Sequence, residues 1–254
     1  MKKLIEEEIK RLDASGLRRT MRAIDGGQGS SVVVDGRRAI LLCSNDYLGL
    51  AAHPLVKQAA IDSINACGFG AGASRLVSGN MEAHRMLEER IARFKGTESA
   101  LLFNSGYNAN LGCIAALAGR DTAIFSDRLN HASIVDACIL SRAEVSRYPN
   151  RDVDSLERLL KKTRLKKRLI VTDGVFSMDG SIAPLPDIIS LLERYNATLL
   201  VDDAHATGVL GPNGRGTLEH FNISHPSVIQ MGTLGKALGS FGAFIAGDTS
   251  LIEL

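Results

Sequence analysis

The sequence lacks most of the features that would commit it to a specialised class. Its four cysteines, at positions 43, 67, 113 and 138, stand far apart in 254 residues. They form no CxxC pair and no metal-ligand spacing, which excludes a disulfide scaffold and a zinc module and predicts reduced, mostly buried thiols. An excess of one charge is missing too: 30 Lys and Arg face 28 Asp and Glu, for a net charge of +2. That balance gives no nucleic-acid footprint and no membrane-binding surface. The one basic stretch, Lys161–Arg168, falls where a helix should end, and cations are favoured there. No apolar run approaches the roughly 20 residues that span a bilayer. Glu6, Glu7 and Glu8 follow Lys2 and Lys3 where a signal peptide would need an apolar core, so a cytoplasmic protein is expected. There is no Gly-x-Ser-x-Gly elbow, and Gly68-Phe69-Gly70-Ala71-Gly72 follows a helix instead of a first strand. Serine-hydrolase and dinucleotide-binding readings are weakened accordingly.

What is present is ordinary globular composition, 45% hydrophobic and 23% charged, in a length that suits one large α/β domain. Residues 1–13 read as a short amphipathic helix. An arginine-bearing segment (Arg18, Arg19, Arg22) and a glycine-rich link come next, then a hairpin over Val32–Val34 and Ala39–Cys43 with an Asp35-Gly36 turn. Pro54 opens a helix whose Val56, Ala59, Ala60, Ser63, Ile64 and Cys67 follow the spacing of a buried face. A second helix carries His84, Leu87, Ile91 and Phe94 and stops near Gly96. Beyond it, seven short apolar runs alternate with several helical patterns: 100–103, 122–126, 144–147, 169–172, 198–202, 228–231 and 242–246. Strands apolar on both faces, joined by helices, predict a mainly parallel seven-stranded sheet flanked by helices. The simplest division is an N-terminal arm and hairpin over 1–50 and one large α/β domain over 51–254.

Ligands of such sheets bind beyond the carboxyl ends of the strands, so the loops 104–107, 127–131, 173–180, 202–208 and 233–239 should carry the chemistry. In Asp202-Asp203-Ala204-His205 an acid ends a buried strand, which is costly unless a cation meets it. A metal site and a catalytic triad are both conceivable. No second His or Cys cluster completes a metal shell, however, and a protonated cofactor nitrogen would satisfy the acid well. Gly232-Thr233-Leu234-Gly235-Lys236 sets one lysine in a glycine-flanked turn after a strand. Alone it is most simply a surface turn, but a desolvated lysine amine is also a nucleophile.

These two loops together resemble the cofactor signature of the α-oxoamine synthases, fold-type I enzymes that use pyridoxal phosphate. Ser44-Asn45-Asp46-Tyr47-Leu48-Gly49-Leu50, Asp127-Arg128-Leu129-Asn130-His131-Ala132-Ser133 and Asp173-Gly174-Val175-Phe176-Ser177-Met178-Asp179-Gly180 match in order, so the resemblance covers nearly the whole chain. It implies Lys236 as the Schiff-base lysine, Asp202 on the pyridinium nitrogen, His205 on the phenolic oxygen and His131 stacked on the ring. Ser105, Gly106 and Tyr107, where a strand turns into a helix, would take the cofactor phosphate with help from Thr233. Ser177 and Asn45 would face the substrate, as would one N-terminal arginine, for which Arg19 is the candidate. Read without the family, His131 is a helix-start residue, Ser177 a turn serine and Asn45 a capping residue.

The implied activity condenses an amino acid with an acyl-CoA or acyl-carrier-protein thioester and releases CO2. Ser181–Leu185 and Leu238–Phe244 favour L-alanine and a pimeloyl thioester, in biotin synthesis, over glycine and acetyl-CoA. A non-catalytic remnant is the reading from another class. The resemblance further implies a homodimer and a C-terminal small domain beyond Leu254 that carries a substrate-carboxylate arginine.

Overall fold

The computed structural model describes residues 1–254, which form two compact units, Met1–Cys43 and Ser44–Leu254. The first unit holds α1 (Lys2–Ala14) and a three-stranded antiparallel sheet of β1 (Ile24–Asp25), β2 (Ser31–Val34) and β3 (Arg37–Ile40). Asp35 and Gly36 turn the hairpin with φ of 50° and 74°. Both are left-handed, as the twist of a two-residue hairpin demands. The strand expected over 39–43 ends at Ile40, and β1 pairs on the far side of β2, where no pattern had marked a strand.

The second unit opens with α2 (Pro54–Cys67), a single π-turn at Arg75–Gly79 and α3 (Glu82–Lys95). Strands and helices then alternate: β4 (Ser99–Phe103), α4 (Gly106–Leu117), β5 (Thr122–Asp127), α5 (Ala132–Ser141), β6 (Glu144–Tyr148), α6 (Val153–Lys162), β7 (Lys167–Asp173), α7 (Leu185–Tyr195) and β8 (Thr198–Asp202). The one-turn α8 (Thr217–His220), β9 (Val228–Thr233), β10 (Ala243–Gly247) and α9 (Thr249–Glu253) complete it. The seven strands β4 to β10 form one sheet in the order β4-β10-β9-β8-β7-β5-β6. Six of them run the same way; β10 lies between β4 and β9, antiparallel to both. Its direction follows from the link before it, because residues 234–242 are too few for a crossover, which takes a dozen or more.

Both faces of the sheet are buried, which is why its strands read as unbroken apolar runs. On one face Phe125, Ile170, Leu199 and Val201 pack under Leu156 and Leu160 of α6 and Ile188, Leu191 and Leu192 of α7. On the other, Ile124, Leu169, Val171, Leu200 and Ile229 pack under Ile114 of α4 and Ile134, Ala137 and Cys138 of α5. Each of the Leu, Ile, Val and Phe side chains among them contributes roughly 1.5–3 kcal/mol on burial, and this double layer fixes where the strand ends lie.

Two expectations fail here. The apolar spacing of α2 buries none of its residues, because no other element of the second unit packs closely against that helix. Only Cys113 and Cys138 are buried; Cys43 and Cys67 are exposed, the latter at the end of α2. No helix is long and apolar enough to cross a membrane.

Candidate active site

Five loops leave the carboxyl ends of β4, β5, β7, β8 and β9 and converge on one cavity of about 190 Å³. Its wall includes Gly106, Tyr107, His131, Asp173, Ser177, Asp202, His205, Thr233 and Lys236. The structure thus brings together all four residues expected to do chemistry and most of those expected to bind a cofactor.

The β4 loop reaches the cavity through Ser105, which caps α4 by accepting the Asn108 N–H on its hydroxyl at 3.2 Å. The N–H groups of Gly106 and Tyr107 fall in the first turn, where a helix has no internal acceptors and its dipole favours an anion. Met231 packs 3.4 Å from where a Cβ on Gly106 would stand, so a side chain there would crowd the floor. The Tyr107 hydroxyl donates to Asp136 at 2.6 Å.

Asp202 ends β8, buried, with its carboxylate accepting the Ala204 N–H at 3.0 Å and the Asn110 amide at 2.8 Å. Asn110 also donates to the Ser133 hydroxyl at 2.9 Å, and that hydroxyl lies 2.8 Å from Nδ1 of His131. Ser133 N–H donates to the same nitrogen at 3.2 Å, so Nδ1 of His131 is the acceptor and the imidazole both caps α5 and faces the cavity. Helix start and site residue are one and the same position here. Beside Asp202 in the strand register stands Asp173, whose carboxylate accepts the His131 N–H at 3.1 Å. Burial first, then the neighbouring Asp202 charge, push the Asp173 carboxyl up to about 8. Burial raises Asp202 as well, against the bonds from Asn110 and Ala204 that favour its ionised form. Two buried carboxyls at adjacent strand ends cannot both ionise cheaply, and a cation arriving in the cavity would relieve them.

Lys236 sits in the short loop between β9 and β10, where Leu234 N–H and the Thr233 hydroxyl both donate to the Gly242 carbonyl oxygen at 2.9 and 3.0 Å. Gly239 closes this loop at φ +61°, and a Cβ there would collide with the backbone of Leu50 and Ala51. Burial lowers the Lys236 pKa, partly opposed by Asp202 and Asp173. Its Nζ lies 2.8 Å from Nε2 of His205, and Nδ1 of His205 lies 2.7 Å from the Tyr47 hydroxyl, which in turn donates to Asn45 at 3.1 Å. One assignment satisfies the row: Lys236 donates to Nε2, and Nδ1–H donates to the Tyr47 oxygen. Burial, with Lys236 and His131 adding to it, pushes His205 down to about 4, so the ring is neutral near pH 7.

The remaining expected residues are less central. Ser177 lines the cavity from an exposed turn. Asn45 caps no helix and joins the row only through Tyr47. Arg19 lies in the first unit and is exposed there. Four contributors escaped the sequence reading. Tyr47, Ser133 and Asp173 lie inside motifs whose other members drew attention. Asn110 had only the signal of a polar residue within a helix face that is otherwise apolar. No group of three or more His, Cys, Asp or Glu is placed to hold a metal ion.

A doubly covered sheet with a lysine beyond one strand end, an acid beyond the next and a helix start facing both defines a class, and the chain belongs to it: the aminotransferase class I and II family, matched over residues 37–254. Within that class, the chain is 58% identical over its whole length to the 8-amino-7-oxononanoate synthase of Geobacter sulfurreducens, covering 65% of that protein. It thus spans somewhat less than two thirds of the length of this curated relative. Among solved structures it is similar to a Sphingomonas wittichii serine palmitoyltransferase, at 34% identity and a TM-score of 0.89, over 98% of this chain and 63% of that one. It is equally similar, at 33% identity and TM-score 0.89, over 98% of this chain and 63% of that one, to SPT carrying a PLP internal aldimine.

Proposed function

We propose that the cavity holds pyridoxal phosphate and that the protein condenses an amino acid with an acyl thioester, with loss of CO2. The observation that carries this reading is the convergence of Lys236, Asp202, His205 and His131 with the start of α4 on one small cavity. The residues fit the group: a half-buried amine, a buried acid short of a cation, and a helix start with open N–H groups. When bound, the cofactor supplies a ring that accepts the charge developing on the substrate Cα. Lys236, whose pKa burial lowers, would be the amine that holds it and the base that moves the substrate Cα proton. Asp202 would hold the ring nitrogen as its counter-ion, while Asp173, raised by burial and by the Asp202 charge, would keep its own proton. His131 would pack against the ring, and His205 would hold the phenolic oxygen with Nε2–H, a tautomer that the Tyr47 hydroxyl permits by donating to Nδ1 instead. Ser105, Gly106, Tyr107 and Thr233 would hold the phosphate, and Ser177 and Asn45 would face the substrate.

The relatives' names support L-alanine and a pimeloyl thioester as the substrates, in biotin synthesis, over glycine and acetyl-CoA, with the chain working as a homodimer. The test is visible absorbance of the purified chain with added pyridoxal phosphate. Wild type should gain a band that Lys236→Ala does not, and L-alanine should perturb it at lower concentration than glycine. A folded wild-type chain with no Lys236-dependent band would sink the reading.

A further inference from the structure

Asp203 follows Asp202 in the chain, but its side chain leaves the other face of the turn and enters the interior behind the site. Lys95, the last residue of α3, lies with Nζ 3.2 Å from Asp203 Oδ2. The two side chains are 0% and 1% exposed. Lys95 also donates to the carbonyl oxygen of Arg215. Thr217, at the start of α8, donates its N–H to Asp203 Oδ2 at 3.0 Å and its hydroxyl to Oδ1 at 2.5 Å. A Cβ on Gly174 or Gly216 would run into this carboxylate, so neither position leaves room for a side chain beside it. The main chain of Asp203 is held as firmly. Its N–H donates to the Met231 carbonyl oxygen at 2.8 Å, and its own carbonyl accepts the N–H groups of Ala206 and Thr207 at 3.0 and 2.8 Å. Those two bonds close the turn that carries His205.

Neither Lys95 nor Asp203 lines the cavity. A buried ion pair is also a poor source of stability, since desolvating both charges offsets most of their attraction. We propose that the Lys95–Asp203 pair is a positioning device: by tying Asp203 to α3 and α8 it fixes the 203–208 turn, and with it the imidazole of His205 between Lys236 and Tyr47. Both residues act through the turn and touch no substrate. The inference rests on the reading above only in taking His205 as a working member of the site.

The test uses the 254-residue chain without cofactor. The imidazole resonances are followed by NMR as a function of pH, and His205 is assigned by the signal lost in His205→Gln. Burial first, then the charges of Lys236 and His131, hold its titration near pH 4; the Tyr47 hydroxyl also faces this ring. Lys95→Met leaves Asp203 without its cation and frees the turn. The His205 midpoint should then rise by about one pH unit as the ring moves toward water. A purely structural pair would lower the unfolding midpoint and leave the His205 titration where it was, and that result overturns the proposal. Should Lys95→Met not fold, Asp203→Asn, which keeps an oxygen for the Thr217 donors and removes the charge that Lys95 meets, is read in the same way: a rise supports, an unchanged midpoint overturns. Because no cofactor takes part, failure here leaves the pyridoxal phosphate reading intact, and absence of the Lys236-dependent band leaves this one intact.

Discussion

Asp173 illustrates how single residues set the terms of the site. Its carboxyl titrates near 8 in the fold and near 4 in an unfolded chain. Between those values the folded protein binds a proton that the unfolded chain has released, so stability falls as pH rises through that window. Asp173→Asn keeps an oxygen to accept the His131 N–H and removes the titration. Between pH 5 and pH 8 the wild type should lose about 3.5 kcal/mol of unfolding free energy that the variant retains, as read from urea midpoints. Parallel pH profiles for the two proteins would show that the proton resides elsewhere. His205 works in the opposite sense, since a depressed imidazole costs stability as pH falls from about 6.5 toward 4, but it contributes equally to both proteins. Lys236, Asp202, His205 and His131 were legible because each sits in an ordered motif at a strand end. Asn110 was not, since what makes it matter is a partner 92 positions away, Asp202.

Helix ends make the same point one level up. α3 stops at Gly96 with φ +71°, a conformation glycine adopts freely, whereas α5 stops at Arg142 with φ +61°, where a side chain is strained. Arg142→Gly should therefore raise stability by about 0.5–1 kcal/mol, and Gly96→Ala should lower it by about 1 kcal/mol. Denaturant midpoints of both variants check this, and equal effects of one sign would refute it. The strands were readable because burial on both faces leaves an apolar run of fixed length, and such a run looks the same in either direction. The antiparallel course of β10 could therefore be read only from the brevity of the link before it. α2 exposes the limit of periodicity. Its spacing reports a face that wants cover, and nothing in a pattern of apolar residues says what provides it.

For the molecule as a whole, that uncovered face has company. Phe69, Leu76 and Val77, in the segment between α2 and α3, are 94%, 98% and 83% exposed, and apolar exposure of this kind marks surfaces that associate. Sedimentation of the chain should show a coefficient that rises with concentration. Phe69→Ser combined with Leu76→Ser should weaken the association by about tenfold or more. A single monomer coefficient across the micromolar range would refute it. The strand order has a separate consequence, for synthesis. β4 has one neighbour in the sheet, β10, and Phe103 pairs with Ala243. While a ribosome is still making the intervening residues, β4 and the helix start that follows it have no sheet to join. The edge strand and the lysine loop are therefore joined in time, because β4 meets its only strand partner once residues 243–247, just beyond that loop, have been made.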